Sequence, residues 1–144
     1  MNLSELLSKG LIERFQSNQE QIENQMKIAM HDVSSAKNML QIGEWEWAYN
    51  AAYNAMLGAG RALMFSKGYR ARSHEHHIAV IEFVLAFYSS KFDSEVLDAF
   101  NKARHQRNES LYDKAGSISQ SQSKRIVEFS EIFVKRAAEL LTKT

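Results

Sequence analysis

Cysteine and proline are both missing from this chain. Without thiols there is no disulfide, no thiolate metal site and no cysteine nucleophile, and the redox compartment is left open. Without proline, and with only six glycines in 144 residues, long helices joined by short turns are favoured over a sheet with many corners. Neither sign of charge is in excess: 18 Lys and Arg stand against 17 Asp and Glu, for a formal net charge of +1. The molecule as a whole is therefore no polyanion trap, and contact with nucleic acid would need a local patch. No apolar run approaches the length that spans a bilayer, so no membrane partner is expected. The start, Met1-Asn2-Leu3-Ser4-Glu5, has an early acid and no uninterrupted apolar stretch. A signal peptide is not expected there, and the cytoplasm is the expected compartment. A glycine loop for phosphates and a nucleophile elbow are also missing, which removes the commonest NTPase and hydrolase designs.

What is present is helical periodicity. Residues 1–16 read as a short N-terminal amphipathic segment, with Leu3, Leu6, Leu7 and Leu11 split by Gly10, expected to pack loosely across the rest or against a second chain. Residues 17–144 read as one all-α bundle of four main helices with shorter additions. The first long helix, about 17–42, repeats Ile22, Met26, Ala29, Val33, Ala36 and Leu40, and Gly43 ends it. The second, about 44–67, carries a stripe of small residues, Ala48, Ala51, Ala52, Ala55, Ala59 and Ala62, with large apolar groups on its other faces. Small side chains let backbones approach, so this is predicted to be the central helix, contacted from several sides. A loop over 68–73 leads to a third helix capped at Ser73 and ending near Ser89-Ser90. A fourth begins near Asp93, and the last follows the serine-rich turn after Gly116.

The fourth helix holds the functional question. Val96, Ala99, Phe100 and Ala103 recur with helical spacing, and the next position on that stripe is Arg107. A guanidinium cannot shed its proton to escape burial. Either the stripe opens there onto a groove, a partner or an anion, or the apolar face drifts and Arg107 is a surface residue. Arg104, Arg107 and Asn108 lie within about one turn of each other and together match the donor geometry of a phosphate. Lys102 and His105 add positive groups nearby, and Tyr112 offers a hydroxyl or a stacking ring.

His74, His76 and His77 lack the spacing of a helical metal pair, except for His74 with His77, so no metal site and no cofactor are assigned. Helix-start and core roles, or an RNA-facing role together with Arg70 and Arg72, remain for them. Trp45 and Trp47, two apart at a helix start, cannot share one core. At least one should be partly exposed or in an interface.

The stretch from Ala48-Tyr49-Asn50-Ala51-Ala52-Tyr53 through Arg61-Ala62-Leu63 to Gly68, followed by His76-His77 and by Arg107-Asn108 with Tyr112, resembles a HEPN domain. The small stand-alone HEPN proteins that accompany minimal nucleotidyltransferases are the nearest type. The resemblance covers roughly 21–141 and implies a four-helix up-and-down bundle that forms a homodimer, with two copies of the arginine segment at the bottom of a cleft. It also implies RNA or a nucleotide as ligand and a nucleotidyltransferase antitoxin as partner.

Active members place a histidine four to six residues after an Arg-polar pair and cut RNA without metal. Arg107 and Asn108 fill the first two places here, and Tyr112 stands where the histidine is expected. A tyrosine does not titrate near neutrality, so weak or lost ribonuclease chemistry is expected, with His105 as a substitute proton carrier. A non-catalytic helical interaction module is the alternative.

Overall fold

The computed structural model describes residues 1–72, 76–108 and 116–142, with Arg107 and Asn108 described by backbone alone. Its elements in chain order are α1 (Leu3–Ser8), β1 (Ile12–Arg14), α2 (Gln19–Gln41), α3 (Trp45–Ser66), β2 (Tyr69–Ala71), α4 (His76–Tyr88), α5 (Ser94–Asn108) and α6 (Gln120–Thr142). Helix predominates, as the missing prolines and the long apolar seams require.

Local chemistry sets the boundaries. α2 begins after Asn18, whose Oδ1 accepts the Gln21 N–H at 2.9 Å while Gln21 Oε1 accepts the Asn18 N–H at 3.0 Å. This reciprocal pair satisfies two donors that a helix start leaves open. Ser17, at the predicted start, instead donates its hydroxyl to the Phe65 carbonyl at 2.8 Å and ties the incoming chain to the end of α3. Gly43 follows α2 with φ 80, the left-handed stop expected of it.

α3 is the central helix. It touches α2, α4, α5, α6 and β2, and Ala48, Ala52, Ala55, Ala59 and Ala62 are all fully buried. Against α4, a Cβ on Gly60 would lie 2.5 Å from Val80 Cγ1, so only glycine fits there. α2 and α6 flank α3, with Gly58 meeting Ala29 and Ser123 Oγ donating to the Trp45 carbonyl at 2.8 Å. The directions of α2, α3, α5 and α6 alternate, while α4 lies alongside α3 in the same direction, His77 near Tyr53 and Tyr88 near Lys67.

Two expectations are corrected. The N-terminal segment is not loosely attached: Leu6 is fully buried, and Leu11 and Ile12 join the same core. The expected loop over 68–73 contains a strand, with Ile12 opposite Ala71, Glu13 opposite Arg70 and Arg14 opposite Tyr69 in an antiparallel pair. Each strand is three residues long. That is too short for a period of two to show in sequence, and the pairing joins positions more than fifty apart.

Candidate functional site

A chain of aromatic contacts fixes α5. Phe92 stacks on Phe133 with ring centroids 4.4 Å apart, Phe133 meets Phe100 at 5.2 Å, and Phe100 meets Tyr53 of α3 at 6.1 Å. Val96, Leu97, Phe100 and Ala103 form the buried face, whereas Ala99 is half-buried, so the stripe leans toward Leu97. Arg104 borders that face and is half-buried. Its Nη2 lies 3.1 Å from His105 Nε2. A guanidinium only donates, so this contact needs Nε2 as acceptor and the ring proton on Nδ1. His105 and Lys102 are exposed.

Arg107 and Asn108 close α5 by backbone. Their side chains, like Tyr112 and His74, lie outside the described residues. The structure thus brings Lys102, Arg104 and His105 to the C-terminal half of one helix. It does not bring Arg70 and Arg72 to them: the sheet carrying Arg70 packs at the far end of α3, beside Phe15 and Gly68. There Arg70 Nε pairs with Glu13 Oε1 at 2.9 Å and its guanidinium covers the Phe15 ring at 4.7 Å. Arg72 is exposed, and its N–H donates to the Leu11 carbonyl at 2.9 Å.

Lys102 and Gln106 line a cavity of about 320 Å³ with Tyr49, Glu95, Asp98 and Arg125. Burial pushes the Tyr49 hydroxyl up to about 12, since a phenolate is disfavoured away from water. With its folded value above the ordinary 10, Tyr49 contributes stability that is complete below about pH 10 and is lost as pH rises toward 12. The loss is expected to reach roughly 2–3 kcal/mol. Denaturant titrations between pH 9 and 12 on the wild type and Tyr49→Phe should diverge across that window, and parallel curves would refute this.

His77 Nδ1 lies 2.9 Å from the Tyr53 hydroxyl and His77 is half-buried at the start of α4, which is the core role open to it in the sequence. His76 is exposed. Among the described residues no three His, Asp or Glu side chains gather as a metal site. Trp47 is 58% exposed, as one of the two tryptophans had to be.

Sequence reasoning passed over Asn50. It is buried, and neither its Nδ2 nor its Oδ1 has a hydrogen-bond partner among the described residues. Asn50 and Asn54 read alike in sequence, one turn apart, but Asn54 faces solvent. Only the packing of α3 separates them.

The sequence matches the HEPN domain family over residues 22–140. No curated protein matches it. The crystal structure of TT1696 from Thermus thermophilus superposes with a TM-score of 0.65 at 13% identity, covering 83% of this chain and 97% of that one. At that identity the likeness concerns the fold. Among the described residues no helix is long and apolar enough to cross a membrane.

Proposed function

The chain belongs to the HEPN domain family, and from that premise we propose that it binds RNA or a nucleotide phosphate with the C-terminal half of α5. Family membership supports a nucleotide- or RNA-related role in general. The finer reading is a homodimer whose two α5 ends meet in a cleft, opposed by a nucleotidyltransferase in a toxin-antitoxin or defence pair. The observation that carries it is the grouping of Lys102, Arg104 and His105 on the helix half that ends in Arg107 and Asn108. Guanidinium forks pair bidentately with phosphate oxygens, and α5 adds them in successive turns.

Metal-independent cleavage of RNA needs proton transfer at both the attacking 2′-hydroxyl and the leaving oxygen. Tyr112, the residue at the place of the usual histidine, is a poor carrier near neutrality. Loss of one positioned acid or base removes about 10²–10⁴ of rate, so cutting is expected to be weak or lost.

RNA binding measured across a salt series tests the site. Phosphate contact predicts a steep fall in affinity as salt rises. Arg107→Ala is expected to weaken binding roughly ten- to hundredfold and to lower the salt slope by about 1. Affinity and slope unchanged in that variant would remove the site.

A second reading, a non-catalytic protein-interaction module, draws on the apolar groove between α2 and α6 lined by Met30, Val33, Val134 and Ala138, with Met30 about half exposed. A partner captured from the native host that persists at high salt and ignores Arg107→Ala would favour this version.

A further inference from the structure

The central helix is not enclosed on every side. Around α3, α2 packs on α6, α6 on α5 and α5 on α4, but among the described residues α4 makes no comparable contact with α2. Between Ala48 and Met64 the residues of α3 that escape burial are Ala51, Asn54 and Arg61. Asn54 and Arg61 are seven apart, and Trp47, 58% exposed, stands seven before them, so the three share one line along the opening. Met30, Ser34 and Lys37 of α2 line the groove toward α6, which places Ile28 and Asp32 on the other flank, beside the opening. Ile28 is 53% exposed.

Arg61 and Asp32 are both half-buried here, and neither makes a hydrogen bond or an ion pair among the described residues. The reason is geometric. α2 and α3 run in opposite directions and meet at Ala29 and Gly58, where a Cβ on Gly58 would lie 3.4 Å from that of Ala29. Asp32 is three residues past Ala29 and Arg61 three past Gly58, so their backbones are displaced in opposite senses from the meeting point, by roughly 9 Å in all. Burial raises the Asp32 carboxyl above its ordinary value and lowers the Arg61 guanidinium, and each charge offsets part of the other's shift. Two opposite charges are thus partly withdrawn from water without the direct contact that normally compensates for it.

We propose that this face of α2 and α3 receives a second copy of the chain, with Arg61 of each copy paired to Asp32 of the other. A twofold axis standing on the contact of Ala29 with Gly58, normal to the face, lays α3 of one copy over α2 of the other and reverses the sense along both. It therefore carries Arg61 of one copy to Asp32 of its partner and the reverse, the reciprocal pattern of an isologous interface. Four charges then alternate in sign around the axis, and each guanidinium gains the carboxylate that it lacks within one chain. The same operation sets Ile28 over α3 of the partner copy and Trp47 toward the start of its α2, which covers the exposed apolar side chains of this face. A free phosphate is a poorer occupant, because Asp32 offsets the charge of Arg61. The inference rests on the homodimer part of the reading above, whose contact face it names, and uses nothing of the phosphate site on α5.

Sedimentation equilibrium of the full chain over a concentration series tests it. Asp32→Arg puts four guanidinium groups around the axis and Arg61→Asp four carboxylates, so each should raise the dimer dissociation constant by roughly a hundredfold or more. The chain carrying both substitutions restores the alternation and should return to within about tenfold of the wild type. Because the chain has no cysteine, cross-linking gives a second measurement free of other thiols. Asp32→Cys and Arg61→Cys chains, mixed and mildly oxidised, should form a disulfide-linked dimer faster than either alone. Should a charge reversal not fold, this cross-link decides. A wild type that stays monomeric across the series overturns this face and the homodimer reading together. A dimer indifferent to both reversals, with no preference for the mixed cross-link, overturns the face and leaves the homodimer standing. A folded double variant that fails to recover the dimer overturns the Arg61 and Asp32 pairing. Recovery in the double variant alongside RNA affinity unchanged in Arg107→Ala keeps the face and removes the phosphate site.

Discussion

Phe100→Ala is expected to lower the unfolding free energy by about 3–5 kcal/mol, a large share of what a domain of this size possesses. The ring is 1% exposed and sits between Phe133 of α6 and Tyr53 of α3, so its removal opens a cavity at the junction of three helices. Among the described residues α5 has few other anchors: Val96, Leu97 and the small Ala103 complete its buried face. The consequence reaches function, because the same helix ends in the basic segment proposed to hold phosphate. Denaturant midpoints should fall sharply for Phe100→Ala and much less for Phe100→Leu, which refills part of the space. RNA affinity at 25 °C should weaken in the alanine variant as α5 loosens. A loss below about 1 kcal/mol would mean that contacts other than this ring hold α5.

Leu6→Ala is expected to cost about 2–5 kcal/mol, although it lies in a six-residue helix near the chain start. α1 is held by an Asn2–Glu5 capping box, and its Leu6 side chain is fully buried where α1 meets α4. If the N-terminal segment were a loose arm, the substitution would be silent and removal of residues 1–16 would leave the melting temperature unchanged. The structure predicts that both lower it. Leu6→Ala should leave the affinity of the folded molecule for RNA close to wild type, because the main contacts of α1 are with α4 and β1 rather than with α5. A comparable loss of affinity would connect the two ends of the molecule in a way this packing does not.

The main helices were legible because their physics is periodic. Met26, Ala29, Val33 and Ala36 bury one face of α2, and the alanine stripe of α3 goes where small residues allow close approach. Gly43 stops α2 with a left-handed backbone, a choice open to a residue without Cβ. The candidate phosphate site was legible only as a cluster of residue types on one helix. That Arg70 stands apart from Lys102 and Arg104, paired instead with Glu13, depends on a strand pair that no local pattern announces. Asn50 is the sharper case. Its chemistry is that of any asparagine until neighbouring helices close over it and leave its amide without a partner among the described residues.

Composition and spacing by themselves determined the all-helical class, the central place of α3 and the exposure of one tryptophan, since these follow from backbone preference and the 3.6-residue repeat acting within a single segment. Tertiary structure alone decided that Leu6, Leu11 and Ile12 join the core, that the arginines of the sheet and of α5 occupy different ends, and that the Asn50 amide is buried without a partner among the described residues. Each of those depends on which distant segments come to lie together, and burial is a property of that assembly rather than of any one stretch of chain.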